Sequence, residues 1–111
     1  MSTATTFSLD AMLADLDVLV SCESPSRDLA RLEAHAALVS DLMVRLLGSA
    51  PTMIASPVGP HIHWKGGSDP KVLILGHHDT VHPVGTIDRL PFAVRDGVAF
   101  GPGVFDMKAG I

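Results

Sequence analysis

The chain of 111 residues is poor in several residue types, and each shortage argues against a class of protein. Its single cysteine, Cys22, excludes an intrachain disulfide and a cysteine-rich zinc knuckle. It has no tyrosine and only 5% aromatic residues, so few side chains could stack on nucleic-acid bases. Its net charge of −4 also argues against a basic face for nucleic acid. We therefore expect no nucleic-acid partner.

Long hydrophobic runs are missing as well. Asp15 and Asp17 interrupt the best early candidate for a membrane span, and the N-terminus lacks the basic region of a signal peptide. We therefore expect no membrane partner and a cytoplasmic location. The hydrophobic fraction of 47% is nevertheless enough for a folded core, and the length fits one small domain.

Helical patterns occupy the N-terminal half of the chain. After an expected disordered lead over residues 1–7, apolar residues recur with helical spacing over 9–20, behind Ser8 as a candidate N-cap. A second apolar stripe predicts a longer helix over 28–47, which Gly48 could close. A segment containing serine and proline separates the two predicted helices.

Strand patterns follow in the second half. Residues 52–56 and 61–65 are short strand candidates, and Asp96-Gly97 between two β-prone runs predicts a hairpin. The run KVLIL, residues 71–75, is continuously apolar, which is typical of a strand buried on both faces. Two helices followed by strands predict a layered α/β or α+β domain.

The densest cluster of reactive side chains, LGHHDTVH, follows the predicted buried strand. Ligand sites of open α/β sheets lie at that end of a strand. His77 and Asp79 are two positions apart, so an extended backbone places both on one face. Such a pair suits a metal ligand and the carboxylate that accepts a hydrogen bond from its other ring nitrogen. The same spacing also fits a histidine that hydrogen-bonds a loop carboxylate without any metal.

A second candidate segment is GPGVFDMKAG, near the C-terminal end of the sequence. Gly101 and Gly103 would let the backbone pass close to a neighbour. Asp106 lies in a mostly apolar setting, where an ionised carboxylate is costly unless it is paired or bound to a metal. Alternatively, Asp106 is the N-cap of a helix that begins here, although capping would not explain the two glycines.

Together, GHHDTV and GPGVFDMKAG resemble the G-H-x-D-x-V and G-x-G-x-x-D-x-K-x-G signatures of the M20 family of zinc metallopeptidases. The intervening HPVGTIDRLPFAVRDGVAF resembles the glutamate carboxypeptidase branch of that family. The resemblance implies a three-layer αβα catalytic domain with a mostly parallel mixed sheet, of which residues 8–111 would be the N-terminal part. It also implies a cis peptide bond between Asp106 and Met107 and a homodimeric parent protein.

The same resemblance implies roles for three residues. His77 would be a terminal ligand of one zinc ion, and Asp106 would bridge two zinc ions. Asp79 would be a catalytic residue that holds and polarises His77. The implied function is zinc-dependent cleavage of amide bonds in small peptides or N-acyl amino acids, as by a carboxypeptidase that releases C-terminal glutamate.

The sequence departs from the M20 pattern in its carboxylates. Its two glutamates, Glu23 and Glu33, belong to the predicted N-terminal helices, whereas the family's general base and a further ligand form a Glu-Glu pair well beyond the bridging aspartate. We therefore expect the lid domain and the C-terminal half to be absent, and this chain alone to bind zinc weakly and to be inactive. The alternative is a non-catalytic fragment or pseudoenzyme that self-associates or binds a partner through exposed sheet edges.

Five further side chains are weaker candidates. His61 and His63 have a spacing able to chelate a metal, but such pairs are more often polar residues of an edge strand. His78 should point to the face opposite its neighbour, and His82 could reach a substrate cleft. Lys108 could partly offset the negative charge of the Asp106 carboxylate, or it could be a solvated lysine at the start of a helix.

Overall fold

The structure is a computed structural model that describes residues 6–111. Residues 1–5 of the expected disordered lead, 1–7, lie outside the described residues. In chain order the elements are helix α1 (Leu9–Ser21), helix α2 (Leu29–Leu47), strand β1 (Thr52–Ile54), strand β2 (His61–His63), helix α3 (Thr86–Arg89), strand β3 (Ala93–Arg95), strand β4 (Val98–Phe100) and a one-turn 3-10 helix (Lys108–Gly110). Among these described helices, none combines the length and the apolar character needed to cross a membrane.

Helices α1 and α2 confirm the two predicted helices to within one residue at each end. The Ser8 side chain accepts a hydrogen bond from the Ala11 amide, as an N-cap should. Asp28 caps α2 in the same way by accepting from the Arg31 amide. Gly48 ends α2 in the left-handed conformation at φ 81°, so the predicted stop is also confirmed.

The apolar core lies mainly on α1 and α2. Its buried apolar residues are Leu19, Val20, Leu32, Ala36 and Val39. Leu32, Ala36 and Val39 have helical spacing and give α2 one buried face, as its apolar stripe predicted. In α1 the buried residues are the adjacent Leu19 and Val20 of the last turn, and Leu9 and Met12 of its predicted stripe are exposed. The core is small, and many large apolar side chains elsewhere in the chain are exposed.

The expectation of a mostly parallel sheet in a three-layer αβα arrangement is wrong. Strands β1 with β2, and β3 with β4, form two separate antiparallel hairpins. The one parallel pairing among the described residues is an isolated bridge between Pro25 and Thr80. The predicted buried strand over 71–75 belongs to neither hairpin, and its four aliphatic side chains are 74–89% exposed. An apolar run encodes a preference for burial, but a strand also needs neighbours for its hydrogen bonds, and residues 6–111 supply none there.

The other strand predictions are confirmed. Strand β1 lies within the candidate 52–56, and β2 within 61–65. Asp96 and Gly97 join β3 to β4 with φ of 53° and 75°. A two-residue type I′ turn requires such positive φ at both positions, which is why Asp-Gly favours it. The two strands of each hairpin are close in sequence, so local residues specify their pairing. A parallel sheet would have needed partner strands from distant segments of the chain.

Candidate metal site

The first loop of the candidate site, residues 77–82, is hydrogen-bonded to the segment between α1 and α2. The Thr80 amide donates to the Ser24 carbonyl, and the Ser26 amide donates to the Thr80 carbonyl, each at 2.9 Å. The Ser24 hydroxyl also donates to the His78 carbonyl at 2.7 Å. These three hydrogen bonds fix the backbone on both sides of Asp79.

The second loop of the candidate site, residues 101–110, ends in the 3-10 helix and packs closely against the rest of the chain because it contains glycines. A Cβ on Gly103 would meet Thr80 Cγ2 at 2.6 Å, and a Cβ on Gly101 would meet Val20 Cγ1 at 2.8 Å. Gly101 and Gly103 also have φ of 152° and 82°, a conformation that residues with a Cβ rarely adopt. The prediction that these glycines allow close approach is therefore confirmed, and the approach brings Asp106 to the first loop.

The structure brings the three predicted site residues together. His77 Nε2 lies 2.8 Å from Asp106 Oδ1, and His77 Nδ1 lies 3.0 Å from the carbonyl oxygen and 3.1 Å from Oδ1 of Asp79. The hydrogen bond to the Asp79 carbonyl, together with the two neighbouring carboxylates, raises the pKa of His77. The side chains are 38–77% exposed, so a ligand can reach them. The peptide bond between Asp106 and Met107 is cis, as the resemblance predicted.

Ser26 also belongs to this site, although the sequence did not predict it. The Ser26 hydroxyl donates to Oδ2 of Asp79 at 2.5 Å. That hydrogen bond, aided by the charge of His77, lowers the pKa of Asp79. The carboxylate is thus held from both sides, by Ser26 at one oxygen and by His77 at the other. A serine in a short segment between helices carries no sequence signal for such a distant contact.

An open cleft of about 490 Å³ contains the three side chains. The other residues of its wall are Ser26, Thr80, Val81, His82, Gly101, Gly103 and Phe105. His82 therefore does lie where a substrate could touch it, as sequence analysis considered. Phe105 is 98% exposed, so the cleft has an apolar group beside Asp106. A cleft of this volume and openness can admit a small molecule.

The described residues supply only part of a metal-ligand set. Within 6–111, no three His, Cys, Asp or Glu side chains are grouped closely enough to hold a metal ion. His77 and Asp106 are two ligands, whereas catalytic zinc usually has about three from the protein. The carboxylate of Glu23 instead accepts hydrogen bonds from the Gly85 amide, which lowers its pKa. Glu33 is exposed on α2, and neither glutamate lines the cleft.

Contacts decide between the alternatives for Asp106 and Lys108. The 3-10 helix receives no side-chain cap, so Asp106 is not its N-cap. Lys108 is 2% exposed, and its Nζ donates to the carbonyls of Leu19 and Cys22. It is therefore neither a solvated lysine nor an ion-pair partner of the metal carboxylate. Sequence analysis missed this role because lysine is seldom fully buried.

A comparison with known proteins finds similarity over part of the chain. Over 62 residues, the chain is 34% identical to carboxypeptidase G2 of Pseudomonas sp. (strain RS-16). The matched stretch is 56% of this chain but 14% of carboxypeptidase G2, so the chain spans a small part of that relative. No protein-family model and no solved structure match the chain. The similarity indicates a distant relationship to a carboxypeptidase.

Proposed function

We propose that this chain contributes part of the metal centre of a zinc-dependent M20-type hydrolase that cleaves amide bonds of small peptides or N-acyl amino acids. The observation that carries the proposal is the 2.8 Å contact between His77 Nε2 and Asp106 Oδ1 in an open cleft. The partial similarity to carboxypeptidase G2, an M20 peptidase, supports the same class of reaction. The motif resemblance to the glutamate carboxypeptidase branch supports C-terminal glutamate as the residue released.

The chemistry of the donor set fits zinc. Imidazole nitrogen and carboxylate oxygen are both common zinc ligands, so His77 and Asp106 would hold the ion. Nε2 of His77 donates to Asp106 Oδ1 in this structure, and loss of that proton would free the Nε2 lone pair for the ion while Nδ1–H stays donated to Asp79. Asp79 thus acts through the imidazole and is a positioning residue. A bound zinc ion would polarise the scissile carbonyl and lower the pKa of a water molecule.

The glutamate that acts as general base in the M20 family has no counterpart in the cleft of the described residues. Neither Glu23 nor Glu33 lines it. Asp79 is engaged by Ser26 and His77 and is therefore poorly placed to accept a proton from water. We accordingly propose that the 111-residue chain does not hydrolyse amides by itself, even with zinc present.

Native mass spectrometry with and without added zinc tests the metal proposal. We expect the unmodified chain to retain zinc and His77→Ala to lose it. His63→Ala is the matched control, because it breaks the exposed His61 and His63 pair outside the cleft, the other pair with a chelating spacing, and should leave binding unchanged. Zinc retained equally by His77→Ala would contradict the assignment.

An assay of N-acyl-glutamate hydrolysis with added zinc tests the proposed inactivity of the chain. Hydrolysis above the His77→Ala background would contradict that proposal.

A second candidate function is association through residues 71–75. Their four aliphatic side chains are 74–89% exposed, and their backbone forms no strand ladder within 6–111. An exposed apolar segment with unpaired backbone groups is a template for another strand. Sedimentation velocity should show self-association that Leu73→Lys reduces and Leu46→Lys does not, since Leu46 is an exposed leucine on α2. A monomer at high concentration would exclude self-association.

A further inference from the structure

Lys108 is a buried cation that binds the end of a helix. Its Nζ donates to the Leu19 carbonyl at 2.8 Å and to the Cys22 carbonyl at 3.2 Å. Both carbonyls lie at the C-terminal end of α1, where a helix leaves carbonyls without amide partners and carries partial negative charge. Burial lowers the pKa of Lys108 to about 8. Within the described residues Lys108 forms no ion pair, so this helix end compensates its charge.

His35 reaches the same carbonyl from α2. Its side chain is fully buried, and its Nε2 lies 2.9 Å from the Leu19 carbonyl oxygen. Because a carbonyl only accepts, Nε2 carries the proton and Nδ1 of the neutral ring is an acceptor. That Nδ1 lies 3.0 Å from His78 Nδ1, with the ring planes within 3° of each other. His78 therefore donates to His35, and the rings are joined edge to edge.

These contacts connect one carbonyl to both loops of the metal site. Lys108 follows Asp106 by two positions, and its own amide donates to the Gly103 carbonyl at 2.9 Å. His78 directly follows His77. The Leu19 carbonyl thus accepts a hydrogen bond from Lys108 of the second loop. Through His35 and His78, the same carbonyl also restrains the first loop. The two ligand loops share this buried anchor although they are separated along the chain.

We propose that Lys108 and His35 are positioning residues that set the separation of His77 and Asp106 through the shared Leu19 carbonyl. The effect on metal affinity rests on the proposed metal function, whereas the effect on the separation does not. Groups that orient metal ligands typically change metal affinity by about 10- to 100-fold when they are removed. Loss of either donor should therefore weaken metal binding without removing a ligand.

Cobalt(II) titration of the 111-residue chain tests the effect on the metal. Lys108→Met keeps the length of the side chain but removes its charge and its donors, so we expect Co²⁺ affinity to fall about tenfold or more. The visible Co²⁺ spectrum should also change, because the ligand geometry changes. Val39→Ala, a core truncation in α2 that keeps both donors, controls for lost stability. Lys65→Met controls for the loss of an exposed lysine.

Nuclear Overhauser contacts in the metal-free chain test the separation directly. Contacts between the His77 ring and the Asp106 methylene should be present in the unmodified chain and in both controls, and lost in Lys108→Met. If Lys108→Met does not fold, His35→Phe removes the other donor and is measured in the same way. If Lys108→Met loses the contacts and the unmodified chain binds no Co²⁺, the positioning role is supported and the metal function is contradicted. If a folded Lys108→Met or His35→Phe variant keeps both the contacts and the Co²⁺ affinity, the inference is overturned.

Discussion

Ser26 donates a hydrogen bond to Asp79, which lies 53 positions further along the chain. Asp79 in turn contacts His77, and His77 contacts Asp106, so four side chains form a continuous row. The row begins in the segment between the two long helices and ends in the glycine-rich loop. The N-terminal helices thus do more than supply a core, because they also orient the candidate ligands.

Replacing Ser26 should raise the pKa of Asp79. The hydroxyl stabilises the ionised carboxylate, so Ser26→Ala removes the main cause of the lowered pKa. The resulting loss of stability at neutral pH should be about 1 kcal/mol, because solvent weakens the hydrogen bond to this partly exposed carboxylate below the roughly 1.5–3 kcal/mol of a bond to a charged group. A carboxyl group with a lowered pKa stabilises the fold above its unfolded-state pKa, and that contribution disappears as the pH falls through its folded-state pKa. The difference in the free energy of unfolding between Ser26→Ala and the unmodified chain should therefore become smaller at acidic pH.

Carbon-13 NMR of the Asp79 carboxyl group and urea unfolding at neutral and acidic pH measure these two effects. Ser21→Ala is the matched control, because Ser21 donates to Asp17 in an exposed i,i+4 pair on α1. Its loss should leave the Asp79 titration unchanged. An unchanged Asp79 pKa in Ser26→Ala would mean that the hydrogen bond is not maintained in solution.

Acidification should destabilise the fold through His35. Burial lowers its pKa from 6.5 to about 4, so between these values the unfolded chain binds a proton that the folded chain excludes. The stability is therefore complete above pH 6.5 and falls as the pH decreases towards 4. The slope should approach about 1.4 kcal/mol per pH unit, or roughly 2 kcal/mol between pH 6.5 and about 5.

The free energy of urea unfolding, measured at several pH values above the range of the carboxylates, checks this slope. His35→Phe should reduce the slope, because the unfolded chain no longer takes up that proton, and His78, whose pKa burial also lowers, should account for the remainder. His63→Phe should not, since His63 is exposed on β2. A slope as steep in His35→Phe as in the unmodified chain would assign the acid sensitivity to another group.

The helices and hairpins could be predicted because their signals are local. Ser8 and Gly48 lie at the ends of α1 and α2, and Asp96-Gly97 specifies its own turn. The run 71–75 was misassigned for the opposite reason, since strand pairing depends on segments far along the chain. Its composition indicates burial, but no neighbouring strand pairs with it within 6–111.

The same distinction applies to the candidate site. The proximity of His77 and Asp79 follows from their spacing of two residues, so the sequence alone predicted it. The contact of His77 with Asp106 is non-local, and it was expected only from the motif resemblance. Ser26 and His35 were missed, and Lys108 was a candidate whose buried contacts were not predicted, because the partner of a hydroxyl, an imidazole or an ammonium group is visible only after the chain has folded.

Asp79 and His77 should differ in their importance for metal binding. Asp79→Asn keeps the shape of the side chain and an acceptor oxygen but removes the charge that polarises the imidazole. His77→Ala removes a ligand. We therefore expect Asp79→Asn to weaken zinc binding by about 10- to 100-fold, as loss of a group behind a ligand usually does, and His77→Ala to abolish it. Calorimetric titration with zinc compares the two, and equal losses would make Asp79 a direct ligand.

Gly103→Ala should destabilise the fold and move Asp106. A Cβ there would lie 2.6 Å from Thr80 Cγ2, and Thr80 is buried and held by main-chain hydrogen bonds on both sides. The φ of 82° adds backbone strain, so the cost should be at least about 1–3 kcal/mol. Gly67→Ala is the control, because a Cβ there meets nothing within 4 Å. If urea unfolding gave the two variants equal stability, the glycine-rich loop could not be packed against Thr80, and the contact between Asp106 and His77 would lose its structural basis.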